Sequence, residues 1–204
     1  MKALLRLSGV IDAISRLFGR IIIWLVLAAT LISATNAIAR KLFNIGSNAI
    51  LEIQWYLFAA VFLLGAGYTF LKDAHVRVDV VANRLSMSTR ILIDILGILV
   101  FLLPLCWFMI VFSWPILVQA YQSGEVSSNS GGLIRWPVYA LVPAGFALLG
   151  LQGISELIKR VAFLRGLGPN PLIKESPEDV AVSPTAIGPA DSATTAPGVD
   201  SAAR

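Results

Sequence analysis

Two side chains on which protein chemistry often depends are nearly absent: the 204 residues include one cysteine, Cys106, and one histidine, His75. A lone cysteine excludes a disulfide within the chain. Its neighbours Leu105, Trp107 and Phe108 make it a small buried hydrophobe, because a reactive thiol needs exposure and a lowered pKa. A lone histidine excludes bis-histidine haem ligation and leaves a histidine-based metal site short of ligands. Charge is also scarce, at 14% of residues. The chain has no Gly-rich phosphate loop, no Ser/His/Asp set and no metal-ligand cluster, so nothing supports an enzyme and no cofactor is implied. No repeat suggests inverted halves, the usual sign of a self-contained secondary transporter.

Apolar length is what the chain does have. Hydrophobic residues make up 57% and the mean hydropathy is +0.79, outside the balance of a soluble domain. A helix crosses a hydrocarbon core of roughly 30 Å with about 20 apolar residues. Four segments qualify: Ile21 to Ala39, Ala49 to Leu71, Ile91 to Tyr121 and Pro137 to Ile158. The expected fold is all-α, an integral membrane four-helix bundle. The third run exceeds what a bilayer needs, which predicts tilt or projection and a bend at Pro104 or Pro115, where a backbone donor is lost.

Lys and Arg set the orientation, since they flank cytoplasmic ends. Lys2, Arg6, Arg16 and Arg20 precede the first span; Lys72, Arg77, Arg84 and Arg90 fall between the second and third; Lys159, Arg160, Arg165 and Lys174 follow the fourth. The opposite side has Arg40, Lys41 and Arg135. This asymmetry predicts N-in and C-in, and assigns the net charge of +4 to contact with anionic membrane lipids rather than nucleic acid.

Residues 1–20 carry Leu7, Val10, Ile11, Ile14, Leu17, Phe18 and Ile21 at helical spacing, an amphipathic arm lying on the surface and running into the span. A cleaved signal peptide is the competing expectation; the full-length apolar run and Arg40-Lys41 beyond Ala37-Ile38-Ala39 count against it. The span domain covers 21–165. Residues 166–204 hold six prolines and no aromatic residue, which predicts a disordered cytoplasmic tail.

Candidate site residues fall at the ends of the spans. Glu52, one turn into the second helix, is either a functional intramembrane carboxylate or a first-turn acid favoured by the helix macrodipole. Arg90 and Asp94 share a helix face as an expected ion pair. His75 is a solvated loop histidine or a subunit or headgroup contact, and Arg77 with Asp79 could fix register against a partner. Trp24, Trp55, Trp114 and Trp136, with Tyr56 and Tyr121, sit where an interfacial belt would place them. Asn44-Ile45-Gly46-Ser47-Asn48 is a short outer turn that offers Ser47 or Asn48 as a helix cap. The stretch Gln122 to Arg135, rich in Gly and Ser, predicts an irregular, exposed outer loop.

The sequence His75-Val76-Arg77-Val78-Asp79 directly after the second span, with four spans and an acid at the outer end of helix two, resembles the small permease (Q subunit) of tripartite ATP-independent periplasmic (TRAP) transporters across roughly residues 10 to 165. The segments Asn44 to Asn48, Gln54-Trp55-Tyr56-Leu57-Phe58-Ala59-Ala60 and Gly131-Gly132-Leu133-Ile134-Arg135-Trp136-Pro137 look like the branch labelled for mannitol or chloroaromatic compounds. Where that family often has a pair of acids, this chain has Leu51-Glu52, so a role needing both is not carried over. The resemblance implies a bacterial inner-membrane protein that scaffolds a large permease. That permease would take up an organic acid or related solute, delivered by a periplasmic binding protein and driven by sodium without ATP. It assigns Glu52, Trp55, His75, Arg77 and Asp79 to subunit or structural contacts, and Asn44, Ser47, Asn48, Glu125, Arg135 and Trp136 to an outer docking surface. The alternatives are a self-sufficient dimeric small exporter using Glu52 as its proton or cation site, and a membrane assembly factor.

Overall fold

A computed structural model describes residues 2–43, 47–72, 86–129 and 131–166. Asn44, His75, Arg77, Asp79 and nearly all of the predicted tail therefore lie outside the described residues. The described part is helical apart from one loop. Helix α1 spans Lys2–Phe43 and α2 spans Asn48–Lys72. A third helical run comprises α3 (Met87–Gly97), a π-helical segment (Ile98–Leu102) and α4 (Leu103–Ser123), and α5 spans Trp136–Leu164. All four runs are long and apolar enough to cross a membrane.

The local chemistry explains the breaks. Ser86 caps α3 by accepting from the Thr89 N–H at 3.3 Å. Pro104 has no N–H to give the preceding turn. The ladder shifts just before it, with the Leu103 N–H reaching back five residues to the Ile98 carbonyl. Of the two prolines where a bend is expected, the first follows a π-turn, and α4 runs on through the second, Pro115.

The expected surface arm is not a separate element: α1 is one uninterrupted helix of 42 residues. Its inward side is mixed in polarity. Ser8, Ile11 and Ser15 are buried, whereas Leu7, Val10, Ile14, Leu17 and Ile21 are exposed. In lipid this polarity is reasonable, since leucine and isoleucine lose nothing by facing hydrocarbon and serines need partners, which α5 supplies.

Helix α5 packs against α1, α2 and α4 alike. It runs parallel to α2: a Cβ on Gly145 would lie 2.7 Å from the Leu63 carbonyl oxygen, and one on Gly67 would lie 3.3 Å from that of Leu148. It runs antiparallel to α1, since Ser8 meets Ser155 and Ser15 meets Gln152. The start of α1, the end of α2, the start of α3 and the end of α5 therefore share one end of the bundle. The start of α2 and the loop between α4 and α5 share the other.

Helix α5 continues to Leu164, past the Ile158 suggested by hydropathy. Lys159 and Arg160 do not end it, because both have partners on other helices.

Candidate functional site

Polar side chains gather at both ends of the bundle. At the α4–α5 loop end, Gly124 stops α4 in the left-handed conformation (φ 60°) and donates its N–H back to Ala120 and Tyr121. The chain then forms a narrow ribbon. Val126 pairs antiparallel with Ile134, the Ser127 N–H donates to Leu133 (2.9 Å), and the Arg135 N–H donates to Glu125 (2.9 Å). Gly132 is required here, since a Cβ would stand 2.5 Å from that of Ser127.

Glu52 projects from α2 into this ribbon and is only 4% exposed. Its Oε1 accepts from the Ser127 hydroxyl and from Asn129 Nδ2 (2.7 Å), and its Oε2 accepts from the Leu133 N–H (2.7 Å). One turn further along α2, the Tyr56 hydroxyl donates to the Ile134 carbonyl at 3.3 Å. Arg135 reaches Glu125 (3.0 Å), a half-exposed pair of little energetic weight. The Tyr139 hydroxyl and the Glu125 carboxylate raise the Arg135 pKa above its ordinary value. A recess of about 310 Å³ opens beside Glu52, lined by Trp55, Tyr56, Asn129, Arg135 and Tyr139. Trp136 meets Tyr121 edge to face at 5.7 Å.

Residues expected in two separate sets thus meet here. Glu52 and Trp55, from the contact set, stand beside Glu125, Arg135 and Trp136, from the docking set. Ser47 immediately precedes α2, which begins at Asn48, at the same end. Gln122 and Ser123 still belong to α4, and the described loop residues 124–129 and 131–135 are irregular as expected, but held by a carboxylate 75 to 81 positions away in sequence.

At the opposite end, α1, α3 and α5 share a buried polar network. Asp12 Oδ1 accepts from Gln152 Nε2 (3.0 Å) and the Ser155 hydroxyl (2.7 Å), and Asp12 Oδ2 accepts from Lys159 Nζ (3.0 Å). Ser15 donates to Gln152 Oε1 at 2.6 Å, and Ser8 and Ser155 share a 2.7 Å hydroxyl contact. Glu156 Oε1 accepts from Lys159, and Glu156 Oε2 accepts from Arg160 Nη1 (2.6 Å). Asp94, which shares a helix face with Arg90, has Arg160 of α5 as its partner at 3.2 Å (Nε to Oδ2). Among the described residues no buried side-chain nitrogen or oxygen lacks a hydrogen-bond partner. Gln152, Ser155, Glu156 and Arg160 are missing from the sequence-based candidates. The four-residue spacing of Gln152, Glu156 and Arg160 is the signal that could have found them.

The apolar bundle and its satisfied polar ends define a helical membrane protein with four spans. Residues 29–163 match the family described as "Tripartite ATP-independent periplasmic transporters, DctQ component", and the chain, of which this match covers more than half, belongs to that family. It is therefore the small membrane subunit of a TRAP transporter. No curated protein matches it.

Proposed function

We propose that this chain is the stationary scaffold of a sodium-driven uptake system in the bacterial inner membrane. It braces the large permease and offers part of the outer surface on which a periplasmic binding protein docks to deliver an organic acid or related solute. The Lys and Arg distribution supports an N-in, C-in orientation, which puts the Glu52 end outside and the Asp12 end inside. The segments around Trp55 and Trp136 that resemble the mannitol or chloroaromatic branch take the substrate no further than that broad class.

One observation carries the scaffold reading: every buried side-chain nitrogen and oxygen of the described residues already has a hydrogen-bond partner within the chain. A transport site needs polar groups free to exchange partners with a passing solute or ion, usually near the membrane midplane. The buried polar groups described above form two sets, one around Glu52 and one running from Arg160 to Gln152 near the middle of α5, and both are already hydrogen-bonded. Glu52 is a poor ion carrier in this setting, because both its oxygens accept from the loop. That weakens the small-exporter alternative.

The test is a mild-detergent pull-down of the tagged chain from its native membrane, with mass spectrometry of what co-purifies. A large multi-span permease in stoichiometric amount is the expected result. Recovery of this chain alone, as a homodimer that moves solute in liposomes, would reverse the conclusion.

A further inference from the structure

The loop between α4 and α5 has little to hold it in shape. It is short and rich in Gly and Ser, its ladder is a single bridge, and the two bridged residues, Val126 and Ile134, are 57% and 50% exposed. A segment that buries so little apolar surface gains too little to offset the entropy of ordering it. Beyond the backbone bonds within the ribbon, what holds it are hydrogen bonds to α2. Glu52 takes three donors from it, and Tyr56, one turn along the same face, donates to a fourth group. The three Glu52 donors lie on both arms and the turn of the ribbon, so one carboxylate sets the spacing between the arms as well as their height above the helix.

We infer that Glu52 is the positioning residue of the outer docking loop: a latch on α2 that holds the ribbon at Ser127, Asn129 and Leu133 in one shape before the binding protein arrives. This rests on the docking role proposed above. A loop ordered in advance loses less entropy on association, and loops carry recognition best when a rigid element sets their geometry. The latch also accounts for a lone acid at this position. One carboxylate with two oxygens accommodates all three donors, and no second acid is needed.

The experiment uses the complex of this chain with its large permease, unaltered or carrying Glu52→Gln, or Ser127→Ala with Asn129→Ala. The double variant removes two of the three donors from the loop side and leaves the membrane helix untouched, so a folding defect in the glutamine variant does not remove the test. Two quantities are read: hydrogen exchange at the Leu133 amide, and photo-crosslinking of the system's own periplasmic binding protein to a benzophenone placed at the exposed position Ser128→Cys. Both variants are expected to speed exchange about tenfold or more and to lower the crosslink yield by a similar factor, with the large permease still co-purifying. Unchanged exchange in both variants overturns the latch. Faster exchange with an unchanged crosslink leaves the latch standing and overturns its role in docking. A crosslink that goes to the large permease instead also overturns docking at this loop.

Discussion

Arg160 shows how a single side chain serves this protein. Its guanidinium is almost fully buried and donates to Glu156 from one nitrogen and to Asp94 from another, joining α5 to α3. Burying a charge is costly, and the cost is recovered only while the partners stay in place. Arg160→Ala removes the group to which both carboxylates are bonded and is expected to cost about 3 kcal/mol, read as a fall in the melting temperature of the detergent-solubilised complex. Arg160→Lys should recover only part of that, since an ammonium lacks the planar fork that addresses two acceptors at once. Full stability in Arg160→Ala would mean that the pair is dispensable. Cys106 illustrates the opposite case, a residue whose environment removes its chemistry. It is 2% exposed and packed near Gly150, in line with the small-hydrophobe role that its neighbours predict.

Among the elements, α5 decides the architecture because its small residues let other helices come close. At Gly145 the α2 backbone lies where a side chain would start, with the Leu63 oxygen 2.7 Å from where an alanine methyl would sit. Gly145→Ala therefore has to push α2 and α5 apart and is expected to cost about 1–3 kcal/mol, measured as a lowered melting temperature with the helical content retained. An unchanged melting temperature would show that the helices can separate freely. Helix α1 shows what an apolar periodicity can conceal. Of the seven apolar residues at helical spacing, Leu7, Val10, Ile14, Leu17 and Ile21 are exposed, while Ile11 turns inward together with Ser8 and Ser15. The spacing is legible in the sequence. The direction each residue faces is not, because that depends on whether the surrounding solvent is water or lipid and on the acceptors waiting on α5.

For the whole molecule, an even number of spans puts both ends of the bundle's chain on one face of the membrane, and orientation becomes a matter of labelling. Cys106 is buried, so single engineered cysteines report cleanly. Ser128→Cys, on the α4–α5 loop, is expected to react with a membrane-impermeant maleimide in intact cells, and Ser88→Cys, at the start of α3, only after permeabilisation. The reverse pattern would invert the proposed topology and remove the docking surface with it. The sequence by itself determined the class of the protein: four apolar runs of sufficient length, few charges, one cysteine and one histidine, all of which act through local length and composition. It also singled out Glu52, since a carboxylate within an apolar run is conspicuous. Only the tertiary structure decided what Glu52 holds, why Lys159 and Arg160 do not end their helix, and that Asp12 belongs to the bundle interior. These contacts join residues 66 to 147 positions apart. Their hydrogen-bonding needs are visible in the sequence, but which donor meets which acceptor is settled only when the helices pack.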